Sequence, residues 1–264
     1  MAAALDYLTC IRSESARFGV CLAAADPTAR VPSCPDWNAA DLLWHLTEVQ
    51  LFWGTIVRDR LTDPDAAETA KPDRPDDFVA LLALFERVTA ELIDALTTTP
   101  GETEVWTWAA DHSVAFVRRR QAHEALVHRL DAELVVDDMS EIDRDLASDG
   151  VDEVLTLVHG DVPAWATFTP DDITGAIEAS DSRASWRVAF GRFVGTGPDS
   201  GKLYDMDTIR VVETAERDAS FTARGSAADL DAWLWGRGPV ERLEVDGDRD
   251  AFARLEQIVA RGVD

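Results

Sequence analysis

The sequence predicts a two-domain α+β chain: an up-down four-helix bundle followed by a smaller α+β domain. Three observations carry this. The first half holds four long stretches with apolar residues at helical spacing, separated by polar or proline-bearing connections. After Pro170 the pattern shifts to short strand-like runs with Gly and Pro between them. Between the halves, the segment from Asp137 to Asp149 is acidic and weakly patterned. The boundary therefore falls there, giving domains at 1–145 and 146–264.

In chain order, residues 3–24 read as a helix with Leu5, Leu8, Ile11, Ala16 and Phe18 among its apolar positions. The run DPTARVPSCPDW is a turn-rich connection. Asn38 then serves as an N-cap with Asp41 three residues on, opening a second helix over about 38–61. Residues 62–76 are polar and proline-bearing, hence a loop. A third helix follows over 76–98, with Phe78, Leu81, Phe85, Val88, Leu92 and Leu96 at helical spacing. Residues 99–112 connect it to a fourth helix over 113–136, and the four form an antiparallel bundle.

The second half opens on a helix at about 150–160. Strands are predicted at Ile173–Ala179, Ala184–Phe190, Thr208–Glu213 and Ser220–Ala223. Ser226 caps a short helix bearing Leu230, Trp233 and Leu234, and Gly236 stops it. A strand at Leu243–Val245 and a helix at Arg249–Arg261 finish the domain.

The chain has 264 residues, 46% of them hydrophobic, enough for a proper core. Its formal charge of −25 argues against nucleic acid and anionic membrane as partners, since both need a basic footprint. No long uncharged apolar run marks a membrane span, and the N-terminus lacks a basic region before an apolar core. Three cysteines fit free thiols in a cytoplasmic protein.

The stretch Val117–Asp131, VRRRQAHEALVHRLD, holds the chemistry. Glu124 and His128 stand four positions apart, about 40° of helical rotation, so both project from one face. A carboxylate and an imidazole so placed can grip one divalent ion. His123 is five positions from His128, about 140° round, and cannot share that ion. Phe116, Val127, Leu130 and Leu134 form an apolar stripe with Glu124 and His128 beside it. Arg118, Arg129 and Glu133 fall opposite. The inward carboxylate needs a partner: a metal, an arginine or a hydroxyl would each serve. On the second helix His45 shares a stripe with Val49, Phe52 and Ile56 and also points inward. Two histidines and one carboxylate leave coordination positions open, the pattern of catalytic rather than closed structural zinc.

The runs VPSCPDWNAADLLWHLTEVQLFW, HEALVHRLDAE and ARGSAADLDAWLWGRGP resemble the mycothiol-dependent maleylpyruvate isomerase family over nearly the whole chain. The resemblance implies a DinB-like, metal-binding four-helix bundle and a C-terminal α+β domain of sterol-carrier-like type. It places the family's metal triad on His45, Glu124 and His128. It implies zinc and mycothiol as cofactors, with a metal-bound thiolate attacking an electrophilic small molecule, as isomerase or S-transferase. The partners are then a small thiol and its electrophile, and the chain is a monomer or homodimer. The isomerase also uses an arginine of the second domain. Arg187, Arg192, Arg210 and Arg224 are available, and none is assigned that role. Two other readings keep the bundle: a non-catalytic metal-binding or stress-linked protein, and a metal-dependent hydrolase with zinc-bound water as nucleophile.

Other residues have bland readings beside sharper ones. Cys34 stands just before the second helix, as a structural thiol or near the metal. Asp131 and Glu48 could support the ligands or sit at the rim. Trp44, Trp53, Trp106 and Trp108 are core or pocket wall. His112 and His159 lack partners at ligand spacing and read as surface or capping residues.

Overall fold

The computed structural model describes residues 5–198, 200–213 and 218–261. The chain divides into two compact units, Met1–Glu141 and Ile142–Asp264.

The first unit is the helical bundle. Helix α1 spans Tyr7–Ala24, with the Asp6 side chain capping its first turn. A two-stranded hairpin follows, β1 at Arg30–Val31 and β2 at Cys34–Asn38. Helix α2 spans Ala39–Asp59. Its start is fixed by a reciprocal cap in which Asn38 and Asp41 each accept from the other's backbone N–H. The predicted loop over 62–76 contains a short helix, α3, at Asp65–Thr69. Helix α4 spans Phe78–Thr98 and α5 spans Val114–Val136.

The fold class is as the sequence predicts, with one change of direction. On α5, Arg129 reaches Glu14 and Glu133 reaches Arg17, so α1 and α5 run the same way. Thr89 donates to Gln50, and Gly54 faces Leu92, so α2 and α4 also run the same way. The helix order is therefore up, down, down, up. The physical reason is the connection over 60–77, long enough to return along a 21-residue helix of about 30 Å. Phe18 and Phe85, ring centroids 5.0 Å apart, centre an apolar core with Leu22, Leu42, Leu46, Leu81 and Val88.

The helix predicted at about 150–160 starts earlier in the chain. Helix α6 spans Arg144–Glu153 and passes into a π-helical turn at Val154–Val158. Its apolar positions, Leu146, Ala147, Val151 and Val154, are spaced for a helix that starts within the acidic segment. Strands β3 (Ala166–Ala179), β4 (Ser185–Thr196), β5 (Leu203–Val211), β6 (Phe221–Gly225) and β7 (Glu244–Gly247) form one sheet in the order β5-β4-β3-β6-β7. Only the β3–β6 pair is parallel. The first three strands are longer than their apolar runs. Pairing with β4 includes Pro170, with a register shift between Pro170 and Thr174; β6 pairs only with Gly175–Ala179, so Pro170 lies where β4 is the one strand paired to β3 among the described residues. Ser226 caps α7 (Ala227–Leu234), Gly236 follows it at φ +71°, and α8 spans Arg249–Val259. Trp186, Val188 and Phe190 of β4 share a core with Leu230, Trp233, Phe252 and Leu255 of these helices. No described helix is long and apolar enough to cross a membrane.

His159, read as a surface or capping residue, is half-buried behind the π-helical turn. Its Nε2 is shielded from water and has no hydrogen-bond partner among the described residues. Burial, and then the Arg261 charge, push its pKa from 6.5 down to about 4. The folded value lies below the unfolded one. The neutral ring is therefore fully compatible with the fold above pH 6.5, and stability is lost as pH falls from 6.5 towards 4. At about 1.4 kcal/mol per unit, the loss is about 3 kcal/mol. In urea unfolding at about pH 7 and about pH 4.5, His159→Gln is expected to lose less stability than the parent protein. Equal losses contradict the assignment.

Candidate metal centre

His45 lies in the second turn of α2, held there by the Asn38–Asp41 cap at the helix start. Glu124 and His128 lie one turn apart in the middle of α5. The fold brings the three together: one ligand atom from each lies within 4.8 Å of the others, the one such group among the described residues. Glu124 Oε1 is 3.1 Å from His128 Nε2 and 3.8 Å from His45 Nε2. The two imidazole centroids are 4.7 Å apart. His128 is buried, while His45 and Glu124 are partly open to solvent.

Each member is held from behind. Arg120, one turn before Glu124, donates to Oε2 at 3.0 Å and leaves Oε1 for the histidines. Asp131 faces His128 Nδ1 at 2.9 Å, and its other oxygen accepts from the Ser33 hydroxyl at 2.5 Å. Trp37 of β2 lies 4.7 Å from the His45 ring, centroid to centroid, and walls it. Asp131 thus takes the supporting position the sequence allowed it. Ser33 and Trp37 belong to the run that carries the family resemblance, but their supporting contacts come into view only because the β1–β2 hairpin delivers them to α5 and α2. Arg120 had a local signal, its four-residue spacing from Glu124.

The other candidates fall elsewhere. His123 is buried on another side of α5, edge-on to Tyr7. Cys34 lies outside the group of converging ligand atoms, as do Cys10 and Cys21, and none of the three is in a disulfide. Trp53 and Trp106 stack on one another beside Phe52, and Trp108 is half exposed against Phe116. His112 Nδ1 meets the Thr107 hydroxyl. In the second unit, Arg192 is engaged by Asp205 and Asp207, and Arg224 by Glu178. One expectation about α5 itself is overturned. Arg129 and Glu133, placed opposite the apolar stripe, are almost fully buried. They form an ion network with Glu14, Arg17 and Ser140, because α1 packs along that side of α5.

The electrostatics fit a site that exchanges protons for a cation. Burial opposes the Glu124 charge, but hydrogen bonds from His128 and His45, and then the Arg120 charge, hold its carboxyl well below the usual range. Burial likewise opposes charge on His128. Asp131 and Glu124, one at each ring nitrogen, outweigh it and raise the pKa to about 9. With Nδ1–H committed to Asp131, Nε2 is the nitrogen that can give its proton up to a metal. In metal-free protein, NMR titration is expected to place His128 near pH 9. Asp131→Asn is expected to bring it back towards the ordinary value; an unchanged titration contradicts this electrostatic account.

Residues 8–133 match the profile described as the mycothiol maleylpyruvate isomerase N-terminal domain, and residues 145–254 that described as the MDMPI C-terminal domain. No curated protein matches the chain. Two solved structures are similar along their lengths: the mycothiol-dependent maleylpyruvate isomerase, with a TM-score of 0.59, and a histidine-to-alanine mutant of it, with 0.60. Each is 14% identical, and each comparison covers 91% of both chains, a likeness of fold. With both domain profiles matched in order across most of its length, the chain belongs to the mycothiol maleylpyruvate isomerase family.

Proposed function

We propose that the protein is a zinc-dependent, mycothiol-using enzyme, an isomerase or S-transferase acting on an electrophilic small molecule, with the ion held by His45, Glu124 and His128. The observation that carries this is the convergence of two imidazole nitrogens and one carboxylate oxygen, with one imidazole oriented by a buried carboxylate. Three protein ligands of this kind leave a position free for an exogenous ligand, which a closed structural site does not. Family membership supports the thiol.

Zinc held by these residues would supply a positive charge that lets a thiol ionise at neutral pH. The chain's own residues do the rest. Asp131 fixes the His128 ring so that Nε2 faces the site, and Ser33 fixes Asp131. Arg120 keeps Glu124 ionised and turned inward. Trp37 limits the approach to His45 from the hairpin side.

Elemental analysis of purified or zinc-reconstituted protein is expected to give about one zinc per chain. His45→Ala is expected to lose that zinc while its far-ultraviolet circular dichroism stays helical. Stoichiometric zinc retained in the variant sinks the triad. Zinc bound without any thiol binding moves the reading to a hydrolase or to a non-catalytic metal-binding protein.

A further inference from the structure

A cleft of about 610 Å³ opens between α2 and α4, and none of the residues that build or support the metal centre lines it. Its floor is where the two helices come close: a Cβ added to Gly54 would stand 3.5 Å from the Leu92 backbone. Thr55 on α2 and Thr99, just past the end of α4, line the cleft and are each 6% exposed. Neither hydroxyl has a hydrogen-bond partner among the described residues, and Thr99 accepts from Arg118 through its backbone carbonyl alone. Other threonines of the same helices spend theirs. Thr47 donates to the Leu43 carbonyl, Thr97 to that of Ile93 and Thr98 to that of Asp94. Gln50, also buried in the cleft, is bonded to Ser15 and Thr89.

The rim is divided by charge. Arg58 and Arg60 stand on the α2 side, Glu91 and Asp94 on the α4 side. Arg58 gives its Nε and Nη2 to Asp59, and Arg87 reaches Glu91 at 3.4 Å. Arg60 and Asp94 have no ion-pair partner among the described residues, although the chain holds 50 acidic residues. Arg60 also ends α2 in the left-handed conformation, φ 51°, where glycine or asparagine is the ordinary choice. The backbone there does not ask for an arginine, so its guanidinium has another use.

We propose that this cleft binds a short zwitterionic peptide, its carboxylate on the α2 arginines, its ammonium on the α4 carboxylates and its amide on the Thr55 and Thr99 hydroxyls. A guanidinium fork matches a carboxylate, and a carboxylate pair matches an ammonium. A simple anion meets repulsion from the α4 wall, and a simple cation from the α2 wall. Each hydroxyl can donate and accept, which suits a peptide group that presents both. Packed helices lie about 8 to 10 Å apart, axis to axis. A free amino acid holds its two charges closer together than that, whereas an extended dipeptide spans about 7 Å and leaves the charged side chains to close the gap. This site is separate from the metal centre and does not depend on the thiol-using reading.

The test titrates full-length, zinc-loaded protein calorimetrically with the dipeptide alanyl-leucine, with its N-acetyl form and with its C-terminal amide. The parent is expected to bind the zwitterion about tenfold or more tighter than either capped form. Thr55→Val, which removes a hydroxyl at nearly constant volume, and Arg60→Gln, at an exposed position, are each expected to weaken alanyl-leucine about tenfold. Both are expected to keep their zinc and their helical circular dichroism. Parent protein stripped of zinc by a chelator is expected to bind alanyl-leucine as the loaded protein does. Equal binding of the three peptides, or none at about 10 mM, overturns the proposal. So does a loss of binding with the zinc, which would place the dipeptide on the metal. An affinity unchanged in either folded variant overturns it too, since the dipeptide would then lie elsewhere.

Discussion

A carboxylate inside a helical bundle has to keep its charge or lose it, and the first unit is arranged so that Glu124 keeps it. Burial alone would neutralise the group. Two histidines on one side and Arg120 on the other outweigh burial, and Asp131 lends His128 the opposite charge it needs. Glu124, His128 and Asp131 come from two turns of α5, so one helix supplies most of the balance. Only His45 comes from across the bundle. The site thus depends on how α2 is set against α5 more than on any loop.

That setting follows from the order of the helices. With α1 parallel to α5 and α2 parallel to α4, α5 meets α1 along one side and α2 along the other. The α1 side is closed by charge pairs, Arg129 with Glu14 and Glu133 with Arg17. The α2 side keeps His45 and Glu124 partly open to solvent. A helix with polar work on two sides has no single apolar face. This is why a simple stripe misjudged Arg129 and Glu133 and judged Glu124 and His128 well.

Much of the architecture was legible because its signals are local. The Asn38–Asp41 cap, the Ser226 cap and the Gly236 stop sit where the sequence puts them, since each needs only neighbouring residues. The meeting of His45 with Glu124 was not local and came into view only through the bundle and the family resemblance. Strand lengths were underestimated because Ala166–Pro170 and Gly191–Thr196 pair through backbone groups that no apolar pattern announces. The start of α6 was missed because acidic residues mask its apolar spacing. Ser33 and Trp37 stand in the run that carries the family resemblance, but their contacts with Asp131 and His45 follow only from the folded hairpin, and the sealed Nε2 of His159 follows only from burial.

The central claim is a zinc ion on two imidazoles and one carboxylate with room for an exogenous thiol. X-ray absorption at the zinc edge tests it most directly. The account expects a first shell of nitrogen and oxygen at about 2.0 to 2.2 Å with imidazole scattering, and one sulfur near about 2.3 Å that enters only when thiol is added. Sulfur present before any thiol, as from a cysteine ligand, or a shell without imidazole, would contradict it.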